Sequence, residues 1–163
     1  MDEVSPSDLV IIGEQLGREP RGVRSIAARC ACGNPAVVRT DPRLPDGTPF
    51  PTTYYVTCPR LAAAIGSIES VGVMKEMEAR LALDPDLQEQ YQKAHERYLA
   101  DRAELGEVAE IDGISAGGMP CRVKCLHVLV GQSLACGPGV NPFGDEALAR
   151  IGAWWVSGSC ADE

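Results

Sequence analysis

Residues 23–57 read VRSIAARCACGNPAVVRTDPRLPDGTPFPTTYYVT, and this stretch decides the fold class. Residues 23–29 predict one strand and residues 36–40 a second. Between them Gly33, Asn34 and Pro35 are turn formers, so the pair predicts a hairpin with Cys30 and Cys32 at its tip. Residues 41–51 hold Pro42, Pro45, Pro49, Pro51 and an Asp46-Gly47 pair, which is loop chemistry. Thr52 to Thr57 has strong β propensity and closes a small antiparallel sheet.

Outward from the sheet the pattern is helical. On the N-terminal side, Ser5 can cap, Pro6 fits a first turn and Asp8 completes a capping box. Leu9, Ile12 and Leu16 then share a face and Gly17 ends the helix, which predicts residues 6–16. On the C-terminal side, Cys58-Pro59 opens a helix to about residue 67. A second helix covers 71–83, with Val73, Met77 and Leu81 on one side. Asp84-Pro85-Asp86 caps a third, which carries Leu87, Tyr91, His95, Tyr98 and Arg102 and stops near Gly106. Pro120 is expected to open a helix that runs to about Cys136. Asp145 is expected to cap a last one reaching Trp155, with Trp155 facing the core. The chain therefore predicts one α+β domain over residues 1–163, with a β-rich part at about 21–57 followed by a helical layer at about 58–155.

The formal net charge is −8. Affinity for nucleic acid and anionic lipid comes largely from Lys and Arg on phosphates, so neither is an expected partner. No apolar run approaches the roughly 20 residues of a membrane span. The acidic start Met-Asp-Glu-Val lacks the basic, then apolar, pattern of a signal peptide, which leads to a cytoplasmic expectation.

Seven cysteines follow: Cys30, Cys32, Cys58, Cys121, Cys125, Cys136 and Cys160. An odd number in a reducing compartment argues against a disulfide framework and for ligands, reactive thiols or buried packing residues. Cys30 and Cys32 share a hairpin tip. Cys58 precedes a helix, where the dipole favours thiolate. Cys125 and His127 lie about 200° apart on a regular helix and reach one ion only if the helix is broken between them. Cys30, Cys32, Cys58 and Cys125 are thus the expected metal ligands, with His127 or Cys121 in reserve. Zinc is the expected ion, and an iron–sulfur cluster is the alternative.

A second constellation points to anions. Gly117 and Gly118 precede Arg122 and Lys124, and a glycine-rich loop before a helix offers N–H groups to a phosphate or carboxylate. Lys124, His127 and Gly131 would form one stripe, with Gly131 admitting a ligand or a backbone.

The segments 44–51, 54–59, 115–127 and 137–145 together resemble an uncharacterised family catalogued as a domain of unknown function, number five hundred and one, found largely in actinobacteria. That resemblance implies a one-domain cytoplasmic protein and no particular reaction. Genes of the family tend to lie near a septum-formation initiator and an exopolyphosphatase, which implies cell-envelope or phosphate metabolism. The residue after Met-Pro is often acidic in the family pattern, which weakens Cys121 as a ligand. Three readings follow. The first is a metal-binding protein. The second is a small enzyme in which Arg122 and Lys124 hold an anionic metabolite, His127 is acid or base and Cys58 or Cys125 is the nucleophile. The third is a metal-free adaptor in a division complex.

Overall fold

Helix α1, Pro6–Leu16, begins where the capping box predicts: Ser5 Oγ accepts from the Asp8 N–H, and the Asp8 carboxylate accepts from the Ser5 N–H. Strands β1 (Val23–Arg29), β2 (Pro35–Thr40) and β3 (Tyr54–Val56) form an antiparallel sheet in that order. Ile26 lies opposite Val38, and Val37 opposite Val56. Asp2 adds a two-bond bridge to Ile26 on the outer edge of β1, at 3.1 and 2.9 Å. The computed structural model describes residues 1–157, so Cys160 lies outside the described residues.

The pleat sends neighbouring residues to opposite faces. Val38 joins Ile26 and Ile12 in a small cluster beneath α1. Arg29 pins that helix through both oxygens of Asp8, at 3.0 and 3.1 Å. Val37 and Tyr54 turn the other way, into the main core shared with the helices.

Five further helices build that core: α2 (Pro59–Glu69), α3 (Val73–Leu83), α4 (Pro85–Ala103), α5 (Leu126–Cys136) and α6 (Pro142–Ile151). The segregated sheet and helices make this a small α+β fold, as the sequence pattern predicts. Helix α5 is apolar almost all round, because it lies between β3 and α6. It passes close to the sheet at Gly131, where a Cβ would stand 2.7 Å from the Tyr54 carbonyl oxygen. Gly131 therefore admits a backbone, not a ligand.

The main differences from the expected boundaries are in α5 and α6. Helix α5 starts at Leu126, not Pro120, because nearby groups capture the backbone N–H groups of residues 122–124. Arg122 N–H donates to Gly118 O, Lys124 N–H to Gly117 O, and Val123 N–H to the Glu78 carboxylate. Helix α6 starts at Pro142, because Asn141 caps it by accepting from the Gly144 N–H. Asp145 instead accepts from Gly139. Helix α6 also ends at Ile151. Trp154, not Trp155, packs against the core, and Trp155 is 39% exposed in a short 3-10 turn.

Candidate metal centre

The late start of α5 decides the site. Cys125 becomes the N-cap, with extended φ −150° and ψ 108°, while His127 sits in the first turn. The break in the helix removes the 200° separation, and the two side chains meet. Glu69, the last residue of α2, joins them. Among the described residues, Glu69, Cys125 and His127 are the one group of three or more His, Cys, Asp or Glu whose ligand atoms all lie within 4.8 Å of one another.

Each side chain is held from outside the trio. One Glu69 oxygen accepts the Leu126 N–H at 3.0 Å, and the other lies 3.3 Å from His127 Nδ1. His127 Nε2 lies 3.2 Å from the Ala62 carbonyl oxygen, an acceptor, so Nε2 carries a proton and Nδ1 faces the group. The hydrogen bond with Cys125 comes first in raising the His127 pKa above its ordinary value. The Glu69 charge and the Ala62 carbonyl add to it, against the opposing effect of burial. For Cys125, burial is the largest effect and pushes the thiol up. The His127 hydrogen bond and the Val128 and His127 N–H groups together outweigh it, so the thiol lies below its ordinary value. All three residues are partly exposed.

The sequence-predicted cysteines divide between two places. Cys30 is buried at the end of β1, Cys32 is exposed at the hairpin tip, and Cys58 is fully buried before α2. The Cys58 sulfur accepts the Leu61 N–H at 3.5 Å. Cys58 and Glu69 stand at opposite ends of α2, about 16 Å apart along its axis at 1.5 Å per residue. Cys125 belongs to the Glu69 end, so Cys30, Cys32, Cys58 and Cys125 do not gather around one point. Cys121 is exposed in the turn before α5 and shares no helix face with Cys125.

The anion constellation has a protein partner. Arg122 Nε donates to Glu78 at 2.7 Å, and Val123 N–H donates to the same oxygen at 2.9 Å. These hydrogen bonds, Arg122 first, hold the Glu78 carboxyl below its ordinary range, and the Lys124 charge adds to them. At Gly118 a Cβ would lie 2.7 Å from Arg122 O, so the glycine there lets the loop fold back on itself. An incoming anion at Arg122 would compete with Glu78.

A family model described as "Protein of unknown function (DUF501)" matches residues 26–149. The chain belongs to that family. In this DUF501 protein the match takes in the second half of β1, β2, β3, α2 to α5 and nearly all of α6, with every residue of the trio. No curated protein and no solved structure matches the chain.

Glu69 is the residue sequence reading misses. Its signal is an acid at a helix C-terminus, where the dipole disfavours negative charge and no basic residue shares the last turn. A carboxylate in that position needs a donor from elsewhere, and the Leu126 N–H supplies it.

Proposed function

We propose that this DUF501 protein binds a divalent transition metal, zinc first, through Cys125 Sγ, His127 Nδ1 and a Glu69 oxygen. The carrying observation is the convergence of those three ligand atoms within 4.8 Å. Zinc bonds of about 2.0–2.3 Å place ligand atoms up to about 4 Å apart, so small side-chain rotations close the group around an ion. The bond from His127 Nε2 to the Ala62 carbonyl supports the reading, because metal-bound histidines commonly donate their second N–H to such an acceptor. The mixed sulfur, nitrogen and oxygen donors favour zinc over an iron–sulfur cluster, which takes four thiolates. Three protein ligands leave a fourth position for water or a substrate. The test is metal content of the native protein by mass spectrometry. Near-stoichiometric zinc is expected, lost in Cys125→Ser and His127→Ala and kept in Cys32→Ser. Zinc kept in Cys125→Ser, or native protein without metal, sinks the proposal.

A second reading is a thiol nucleophile. It is favoured by the hydrogen bond between Cys125 and His127 and by the position of Cys125 at a helix N-terminus, with Glu69 orienting the imidazole. Lys124 and Arg122 would then receive an anionic substrate group as it displaces Glu78. Both readings place the protein in a reducing cytoplasm, where the thiols persist. A division-complex partner is the third proposal, and the acidic surface would be its interface.

A further inference from the structure

The hairpin tip carries a pair of sulfurs that the Glu69, Cys125 and His127 group leaves unused. Cys30 is only 5% exposed, whereas Cys32, two residues on, is exposed. The turn between the strands is tight. Cys30 N–H donates to Asn34 O at 2.9 Å, and Gly33 N–H donates to Cys30 O at 2.9 Å. Gly33 supplies the required positive φ of 91°. This turn folds the chain so that the two side chains meet: the Cys30 thiol is hydrogen-bonded to the side chain of Cys32, and the Cys32 N–H points at the Cys30 sulfur.

One thiol in water touching one thiol shielded from it is an arrangement suited to two-step exchange. The exposed sulfur meets a disulfide, and the shielded one resolves the product. We propose that Cys30 and Cys32 form a thiol–disulfide exchange site for small aliphatic disulfides, with Cys32 attacking and Cys30 resolving. In the first step the Cys32 thiolate attacks one sulfur of RSSR. A Cys32–SR bond forms, the S–S bond of RSSR breaks and RS⁻ leaves with the electron pair. In the second step Cys30 gives up its proton to water, and its thiolate attacks Cys32 Sγ and expels the second RS⁻. The two cysteines are oxidised by two electrons to a Cys30–Cys32 disulfide. The two thiolates take up the protons that the cysteines released, giving two RSH.

The order of events follows from position. Burial raises the Cys30 thiol, so it holds its proton while Cys32 acts, and the Cys32 N–H stabilises its sulfur as charge develops. The product bridges across Ala31 alone. So short a loop gains little closure entropy, and an exposed bridge stays open to attack. The bond is therefore suited to transfer and not to holding the fold. Cys58 is the rival resolving thiol, because it shares the buried core cluster with Cys30. It is fully buried and already accepts the Leu61 N–H.

Trypsin separates the possibilities, since cleavage after Arg29 and Arg39 yields one peptide, residues 30–39, holding both cysteines. Cys58 falls in another peptide. The full-length reduced protein is treated with oxidised glutathione, quenched in acid, alkylated and digested, and the 30–39 peptide is weighed. The expected result is loss of two hydrogen masses with no lasting glutathione adduct. Cys30→Ala should stop at an adduct on Cys32, and Cys32→Ser should leave Cys30 reduced. Far-UV circular dichroism establishes that both variants are folded. A stable adduct on Cys32 in the parent protein, a link from the 30–39 peptide to the Cys58 peptide, or an unreacted 30–39 peptide overturns the proposal. The readout is independent of metal content, so it stands or falls apart from the zinc reading.

Discussion

Two glycines inside helices make a matched experiment. Gly131 in α5 packs against β3, and Gly66 in α2 faces open space, where a Cβ would meet nothing within 4 Å. Adding a methyl at either position removes the same backbone entropy from the unfolded chain and raises helix propensity by about 0.8–1.0 kcal/mol. At Gly131 the methyl also collides with backbone, 2.7 Å from the Tyr54 carbonyl oxygen. Ordinary contact begins near 3.4 Å, so α5 and β3 must part by several tenths of an ångström. Tyr54 cannot yield easily. It is fully buried, its N–H donates to Tyr98 Oη, and its hydroxyl donates to Asp101 at 2.6 Å. Overpacking of this kind costs about 1–3 kcal/mol, with the upper end expected where backbone meets backbone. Gly131→Ala should therefore lower stability by about 1–2 kcal/mol net, and Gly66→Ala should raise it by up to about 1 kcal/mol. In a chain of this size the two variants should separate by roughly 2–12 °C in Tm. Urea and thermal unfolding followed by circular dichroism at 222 nm measure both. Equal stabilisation of the two variants would refute the close α5–β3 passage.

Two further outcomes follow from charge. The Arg29 hydrogen bonds, aided by the Ser5 cap and opposed by burial, hold the Asp8 carboxyl down at about 2 against an ordinary 3.8. The folded state thus binds that proton less tightly than the unfolded state. The resulting stability is complete above about pH 4 and is lost as pH falls through about 2. Asp8→Asn should lower the urea midpoint at neutral pH and flatten its fall between pH 4 and 2; parallel curves for the two proteins would contradict this. At the candidate centre, His127→Ala removes the donor that offsets the burial of Cys125. Iodoacetamide should then label the Cys125 peptide more slowly at neutral pH, with the pH–rate midpoint moved upward, and an unchanged profile would dismiss the pairing.

Local chemistry made much of the fold legible. The Ser5, Pro6 and Asp8 signature and Gly17 bound α1 at both ends, Cys58-Pro59 and Asp84-Pro85 mark the starts of α2 and α4, and residues 30–35 form the turn they predict. At the start of α5 prediction fails because a partner distant in sequence takes the backbone. Pro120 carries a good helix-start signal, but Glu78, 45 residues before Val123, accepts the N–H that a helix there would hold. That one displacement changes the site. On a continuous helix Cys125 and His127 diverge, and on the broken one they converge with Glu69. Cys125 and His127 were visible as candidates because cysteine and histidine are ligand types in any context. Glu69 was not, because one glutamate among many acids carries no mark until α2 and α5 are packed together. The proposed grouping of Cys58 with Cys125 required the two ends of α2 to coincide, which no spacing of cysteines along the chain can test.

The two hydrogen bonds from Asp2 to Ile26 have a protective consequence. A bare outer edge on β1 would offer a row of unpaired N–H and C=O groups to any other extended chain. Asp2 occupies the middle of that row, and Arg29 reaches across to its carboxylate at 2.9 Å, placing charge beside the edge. Chains trimmed of their first residues would expose a template for strand addition while keeping their core intact, so self-association, more than unfolding, would be the characteristic failure of such a fragment.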